Sequence, residues 1–550
     1  MSVRLDPAYR DAALHSLAHN EFDVVVVGGG VVGAGAALDA AARGLSVALV
    51  EARDWAAGTS SRSSKLIHGG LRYLEQRDFG LVREALKERS LLLHRLAPHL
   101  VRPVPFLFPL RHKGWERAYI GAGVALYDSI GGARALPVHR HLSHRKALEL
   151  APALRPESLT GAIRYYDAQV DDARLTMMIA RTAAQHGATV CTRVRATGLL
   201  RDGRAVVGVR VRDIPGGHEH LVRARRVISA TGVWTDDDWA LDPGEAPFHI
   251  QMSKGVHILV PRERLRLNTG LIMRTEKSVL LVIPWSRYWI IGTTDTPWPF
   301  DRDRPAATQA DLDYLLGHVN EMLRDPLSEQ DVVGVYAGLR PLLSGRSAET
   351  TKLSREHAVA EPVPGFFVVA GGKYTTYRVM AADVVDAAAA GLGAAVAPSL
   401  TRHLPIHGAV GYRELWRDRS ALAAGVGLPV PTVERLLGRY GSAVGDLVEM
   451  IRQDRSLAAP LAGADGYLAA EIVYAVTHEG ALDLDDVLSR RTRIAIEYPD
   501  RGLDAAVEVA GLVGGRLGWD RAARAAAVEA YREQTAAELS GRRALPMLPR

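Results

Sequence analysis

Residues 24–33 read Val-Val-Val-Val-Gly-Gly-Gly-Val-Val-Gly, and a chain containing that run has few ways to fold. Four valines without polar alternation predict a strand buried on both faces, as in the middle of a parallel sheet. Gly28-x-Gly30-x-x-Gly33 follows at once. Gly28 suits a tight turn, Gly30 a close approach of a pyrophosphate to the backbone, and Gly33 close packing of helix on strand. The Ala-rich stretch that follows reads as a helix whose free N–H groups and positive dipole end face the phosphates. Val47–Glu51 then reads as a second apolar strand ending on an acid. Glu51 lies 21 residues after Gly30, where a carboxylate accepts hydrogen bonds from an adenosine ribose. Strand, glycines, helix, strand and acid in this order predict a dinucleotide-binding unit rather than a plain βαβ core.

With 550 residues, the chain is expected to hold about two or three domains. Its one cysteine, Cys191, excludes an internal disulfide and a thiolate metal cluster. In the apolar stretch 188–191 it reads as a buried small hydrophobe, which fits a reducing compartment. The first 21 residues carry Asp6, Asp11 and Glu21 and no continuous apolar run, unlike a secretory signal. No window of about 20 residues is apolar enough to span a bilayer, so a soluble or peripheral protein is expected. The net charge of +6 admits an anionic substrate or an anionic lipid surface. Basic and aromatic residues are not interleaved as single-stranded nucleic acid requires, and no nucleic-acid partner is expected.

Along the chain, residues 79–97 and 172–187 read as helices, 103–110 as an extended Pro-rich segment, and Thr189–Val194 and Ala205–Val211 as strands. Asp171, Asp172 and Arg174 read as a helix N-cap with a buried ion pair. No metal site is expected, because no His or Glu completes such a cluster. Val227–Gly232 ends in Ala230-Thr231-Gly232 and Phe366–Gly372 ends in Ala-Gly371-Gly372. Both are apolar strands closing on small residues where a flat or charged group approaches the backbone. The second leads into Lys373-Tyr374-Thr375-Thr376 at a helix start, whose dipole suits the anion formed on a reduced flavin. A nucleotide site split between distant segments resembles FAD proteins more than NAD dehydrogenases. From about 405 the sequence becomes mostly helical, with mixed charges and no strand run of comparable strength.

The segment Thr59-Ser60-Ser61-x-Ser63-Ser64-Lys65-Leu66-Ile67-His68-Gly69-Gly70-Leu71-Arg72-Tyr73-Leu74 resembles the signature of FAD-dependent glycerol-3-phosphate dehydrogenases. Residues 170–175, 291–295, 338–342 and 371–378 match that family too, and the segment with His478-Glu479 and 486–493 resembles its C-terminal domain. The match covers about residues 22–500, in order. It implies an α/β fold: a Rossmann-like FAD-binding domain of the D-amino-acid-oxidase type interleaved with a β-rich substrate domain, plus a C-terminal all-helical domain. The expected divisions are an N-terminal extension (1–21), a region 22–400, and a helical domain (405–550). Within 22–400, FAD binding falls mainly to 22–100, 170–245 and 350–400, and substrate binding mainly to 101–169 and 246–349.

The resemblance further implies oxidation of sn-glycerol 3-phosphate to dihydroxyacetone phosphate, with hydride passing from C2 to flavin N5 and electrons going on to a membrane quinone. A phosphate dianion needs several donors, and guanidinium groups bind it bidentately. Arg72, Tyr73, Arg340, Arg355 and Lys373 occupy the matching positions. Pro341 restricts the backbone of Arg340. His257 matches a family active-site position and is the first choice of general base, with His68 the runner-up. Arg340 suits a developing C2 alkoxide. The cofactor set comprises Gly28, Gly30, Gly33, Glu51, Thr59, Ser60, Ser61, Ser63, Ser64, Leu66, His68, Gly69, Val194, Ala230, Thr231, Gly232, Gly371, Gly372, Lys373, Thr375 and Thr376.

Residues 118–130 are largely apolar, too short to cross a membrane, and bracketed by basic and aromatic residues within 111–146. This suits insertion into one anionic leaflet, and a buried helix is the alternative. The family's attachment to the inner face of the cell membrane favours the lipid reading, and a homodimer is compatible with it. Use of oxygen by a glycerol-3-phosphate oxidase, an amine or amino-acid oxidase of the same fold, and a non-enzymatic binding module are the other readings.

Overall fold

The computed structural model describes residues 3–70, 78–112, 114–131, 136–236, 247–276, 279–343, 357–393 and 395–544. Val24, Val25 and Val26 have no exposed surface, because their strand, Glu21–Val27, lies inside a parallel sheet. Val47–Glu51 and then Thr189–Thr192 flank it on one side, Glu219–Ser229 and then Phe366–Gly371 on the other. His357–Val363 closes the latter edge in antiparallel pairing. Helices Val31–Ala42, Asp172–Gln185 and Tyr377–Ala389 pack on one face, around Val24, Val26 and Leu49. Val25, Val27, Ala48 and Val50 on the other face meet the meander Val194–Asp202, Ala205–Asp213 and Glu219–Ser229. Cover on both faces is why these strands are continuously apolar. The helix Pro7–His19, capped by Asp6 accepting the Tyr9 N–H at 2.8 Å, adds Ala13 and Leu17 to this second core.

A second sheet stands beside the first, with ten strands among the described residues. Its centre is Ile250–Pro261, paired with Tyr288–Gly292 on one side and Gly334–Leu343 on the other. Val279–Trp285, Gly270–Arg274, Arg102–Leu110, Gly161–Gln169 and Leu66–Ile67 continue it. In register, His257 faces Gly292 and Tyr336, and Ser253 faces Arg340. The short strand Leu66–Ile67 carries the Ser/Thr-rich loop onto this sheet, so one segment touches both.

Residues after 400 form helices that include Val430–Tyr440, Val444–Gln453, Ala469–Thr477, Leu503–Leu517 and Arg521–Ala544. Three local expectations change here. A short hairpin, Pro460–Leu461 with Ala464–Leu468, interrupts the helices, because Gly463 turns at φ +74° and Leu461, Ala464 and Leu468 have a core to enter. Within the region that reads as mostly helical, Asp486–Arg491 forms a wide π-type turn. The strand expected over Thr189–Val194 ends at Thr192, because Arg193 takes φ +58° and sends its guanidinium to Asp483 and Asp486. The apolar core around Val24 runs without a break into Leu436, Leu447, Ile472 and Val509.

Three histidines lie close to the packing of this helical region. His99 lies tilted against Tyr412, His407 Nδ1 accepts from the Gln185 amide at 2.8 Å, and His478 stacks on Tyr474. Burial pulls them down to about 3, about 2 and about 3 respectively. Each is neutral when folded, whereas the unfolded chain binds a proton at each below about pH 6.5. Stability therefore falls as pH drops through that value and keeps falling toward the folded pKa values. Thermal melting followed from pH 7 to 4 should show a progressive decline, and a flat profile above pH 5 would exclude this linkage.

Candidate active site

Where the parallel sheet meets the second sheet there is a cavity of ≈ 770 Å³. Its phosphate-like end is built from the glycine run. Gly28 turns at φ +113°, and a Cβ there would fall 2.6 Å from the Ala230 carbonyl oxygen. Gly33 does not line the cavity. A Cβ on it would sit 1.8 Å from the Gly28 carbonyl oxygen, so its absence lets the helix cross the strand. Gly30 starts the helix Val31–Ala42 with no side chain of its own as cap, and Ser60 Oγ accepts the Val31 N–H at 3.0 Å. Glu51 lines the cavity, with one oxygen accepting the Gly29 N–H at 2.6 Å and the other the Arg53 N–H at 2.7 Å. Burial raises its pKa above the ordinary glutamate value.

Thr59, Ser60, Ser63, Ser64, Leu66, His68, Val194, Ala230, Thr231, Gly232, Gly371, Gly372, Lys373 and Thr375 also line the cavity. Thr59 Oγ1 donates to the Leu339 carbonyl at 2.6 Å, and Thr375 Oγ1 accepts the His68 N–H at 3.2 Å. Gly371 and Gly372 both have φ near the left-handed region, +76° and +79°, which brings the backbone to the cavity wall with no side chain between. Ser61, Gly69 and Thr376 stand outside the lining: Ser61 Oγ closes a turn on Gly58, Gly69 N–H donates to Tyr127 at 2.8 Å, and Thr376 Oγ1 donates to the Lys373 carbonyl. Arg72, Tyr73 and Arg355 lie outside the described residues. A helix start whose N-cap residue is a glycine, a carboxylate at the strand end, small residues at two further strand ends and several hydroxyls together suit an elongated dinucleotide such as FAD.

At the other end stand His257 and Arg340. His257 is 2 % exposed, its Nε2 is 2.9 Å from Ser64 Oγ, and its ring stacks on Tyr336 with centroids 4.8 Å apart. Burial first, then the charges of Arg340 and Lys65, hold its pKa well below the ordinary histidine value, so the ring is a neutral imidazole. Arg340 donates to Thr293 Oγ1 at 2.9 Å and to the Thr294 carbonyl at 3.2 Å, with Asp295 at 3.7 Å. Two glycines make room. A Cβ on Gly292 would press into the His257 ring at 2.3 Å, and one on Gly255 would meet the Arg340 guanidinium at 2.5 Å.

Two groups were missed in the sequence. Arg53 lies over the Trp234 ring at 4.7 Å and pairs with Asp303 at 3.4 Å, and all three line the cavity beside Glu51. An aromatic three residues after the strand-ending Thr231 was the available signal. Lys65 is fully buried, 2.9 Å from Asp172 and over the Trp285 and Tyr336 rings. It lay within the signature, but nothing local marks it as internal. Burial and the nearby Arg493 push it down to about 8.

Comparison with known proteins agrees with this geometry. The family described as FAD dependent oxidoreductase matches residues 23–412, and the C-terminal domain of alpha-glycerophosphate oxidase matches residues 399–524. Glycerol-3-phosphate dehydrogenase 2 of Mycobacterium tuberculosis is 56% identical over 521 residues, covering 95% of this chain and 89% of the relative. The human mitochondrial glycerol-3-phosphate dehydrogenase is 36% identical over 541 residues, covering 94% of this chain and 74% of its own. The structure of the glycerol-3-phosphate dehydrogenase from Bacillus halodurans complexed with FAD superposes with a TM-score of 0.79 at 28% identity, covering 96% of this chain and 98% of that one. On fold, cavity and likeness together, this chain belongs to the FAD-dependent glycerol-3-phosphate dehydrogenase family.

Proposed function

We propose that this enzyme oxidises sn-glycerol 3-phosphate at C2 to dihydroxyacetone phosphate. FAD, which Gly28, Gly30, Glu51, Gly371 and Gly372 would hold, would supply the acceptor of the C2 hydride and the link to a membrane quinone. The observation that carries the reading is one cavity lined both by a dinucleotide cradle and by His257, Arg340 and Lys373. His257 takes the proton of the C2 hydroxyl by way of the Ser64 hydroxyl, which gives its own proton to Nε2 as it receives the substrate's, a role suited to a neutral, buried imidazole at the cavity wall. Arg340, held in place by Thr293, Thr294 and Asp295, offers positive charge to the oxygen as that proton leaves. Lys373, with Arg72, Tyr73 and Arg355, binds the phosphate.

Anaerobic addition of sn-glycerol 3-phosphate to the FAD-loaded protein should bleach the flavin absorbance, and glycerol or amino acids should not. A loaded enzyme left unbleached by that compound would remove the substrate assignment. Reoxidation by a short-chain quinone should outrun reoxidation by dissolved oxygen, and the reverse order would make the enzyme an oxidase.

We also infer peripheral attachment to the inner face of the cell membrane through the helix Trp115–Gly131. Ile120, Val124 and Tyr127 turn inward, whereas Trp115 (63 % exposed), Tyr119 (53 %) and Leu126 (42 %) share the outer face. Arg111, Arg140, Arg145 and Lys146 are exposed around it, a pattern suited to an anionic leaflet. Among the described residues no helix is long and apolar enough to cross a membrane. Replacing Trp115, Tyr119 and Leu126 together by serine should weaken binding to anionic vesicles by at least about tenfold, with the rate of flavin reduction unchanged. Vesicle binding equal to the parent would exclude this helix as the contact.

A further inference from the structure

The helical region grips the back of the Ser/Thr-rich loop through Arg493. Arg493 is carried just after the turn Asp486–Arg491, on the far side of the Ser/Thr-rich loop from the cavity, and is 2 % exposed. Its guanidinium donates to Asp171 Oδ1 from Nε at 3.0 Å and from Nη2 at 2.5 Å, to Asp172 Oδ1, and to the Ser61 carbonyl at 3.3 Å. Asp172 in turn accepts the Ser63 N–H at 2.9 Å, the Ser63 hydroxyl at 2.7 Å and the Lys65 ammonium at 2.9 Å. Lys65 also donates to the Ser61 carbonyl at 3.1 Å, and Tyr336 OH donates to the Ser63 carbonyl at 2.9 Å. Residues 61, 63 and 65 are thus pinned from behind, with Lys65 held at φ +57°, a backbone state a lysine keeps only when its surroundings impose it. Ser64, between them, lines the cavity and meets His257.

We propose that Arg493 is a positioning residue for His257, holding the loop 61–65 in the one conformation that presents Ser64 Oγ to the imidazole Nε2. The helical region is therefore part of the catalytic apparatus, although none of its groups touches the substrate. The inference rests on the assignment of His257 as the proton acceptor. The charge balance separates this role from mere support of the fold. Without Arg493, Asp172 still has Lys65, and Asp171 still has Arg439, whose Nη1 donates to it at 3.0 Å. What disappears is the guanidinium that ties Asp171 and Asp172 to each other and gives the Ser61 carbonyl its second donor beside Lys65. The groups facing His257 are then Ser64, the Tyr336 ring, Arg340 and Lys65, in a loop that has lost one of its anchors.

The test compares Arg493→Gln, Arg493→Lys, Tyr336→Phe and His257→Asn as FAD-loaded full-length proteins. It reads the limiting rate of flavin reduction, the apparent Kd for sn-glycerol 3-phosphate, FAD occupancy and melting temperature. Arg493→Gln is expected to lose about 10- to 100-fold in limiting rate, the scale of a misplacement of about 1 Å, with Kd and FAD occupancy close to the parent. Arg493→Lys should recover most of that loss, because an ammonium still bridges a carboxylate and the Ser61 carbonyl. Tyr336→Phe, which removes the other pin and keeps the stacked ring, should reduce the same rate more mildly, and it decides the matter if Arg493→Gln does not fold. A parental limiting rate in Arg493→Gln, or in Tyr336→Phe if that variant stands alone, would overturn the proposal while a slow His257→Asn left the proton acceptor in place. Equal losses in Gln and Lys variants that follow FAD occupancy or melting would overturn it in favour of a structural role. A parental rate in His257→Asn would remove the acceptor assignment, and this proposal with it.

Discussion

His257→Asn should slow flavin reduction by sn-glycerol 3-phosphate by about 10²- to 10⁴-fold, the range general base catalysis supplies. Asparagine keeps a polar group near Ser64 and fits beside Tyr336, so FAD binding and melting should change little, but it accepts no proton. The pH dependence follows from the environment of the ring. Burial, Arg340 and Lys65 all disfavour the imidazolium, so the folded pKa lies below the unfolded value of about 6.5. The reactive neutral form therefore persists to lower pH than for an exposed histidine. In the parent enzyme the limiting reduction rate should be flat in this group across pH 6.5–8 and fall only on further acidification. Stopped-flow reduction across that range checks both statements. An acid limb centred above pH 7 would mean that another group governs the step.

Asp54→Asn should cost about 3–5 kcal/mol of stability, the usual result of removing one partner from a buried ion pair. Asp54 has no exposed surface. It accepts Arg490 Nε at 2.5 Å and a bidentate pair of bonds from Arg491, both at 2.7 Å. Asparagine keeps the shape and leaves two buried guanidinium groups without their shared carboxylate. Burial alone would raise the Asp54 pKa, but the two arginines outweigh it and hold the carboxyl well below the usual range. A depressed carboxylate pKa gives stability that is present above the unfolded value of about 3.9 and is lost as pH falls through the folded value. The difference between parent and variant in urea unfolding should therefore be full at pH 7 and shrink below about pH 4. Asp54 lies between Glu51 and the Ser/Thr loop, so FAD affinity should drop along with stability. A variant as stable as the parent would show that the three side chains do not dock the helical region.

Much of the cofactor half was legible before any coordinates. The valine run, the glycine spacing and Glu51 are set by strand sterics, turn sterics and helix packing within some thirty residues, and such local constraints leave a local pattern. The two later strands ending in Ala-Thr-Gly and Ala-Gly-Gly were readable for the same reason. Four residues of the expected cofactor set stand outside the cavity lining, Gly33 in the helix-packing place read for it. Gly33 sits under the helix, Ser61 and Thr376 close turns, and Gly69 packs on Leu86 and Tyr127. A contiguous motif does not say which of its members face inward, because that depends on what packs behind it.

The sequence by itself determined the parallel sheet, the dinucleotide cradle, the helical character of the C-terminal region and, through its motifs, the family. Neighbouring residues enforce these features through backbone geometry and hydrophobic periodicity, and no distant contact is needed to read them. Only the tertiary structure decided that His257 rests between Ser64 and Tyr336, that Gly255 and Gly292 leave room for Arg340 and the imidazole, and that Asp54 and Asp172 are gripped by Arg490, Arg491 and Arg493. Those partners are separated by 35 to 437 positions, and each alone looks like an ordinary surface charge or a small residue. Their meaning comes from desolvation, which makes a buried charge costly until a specific partner arrives from elsewhere in the chain.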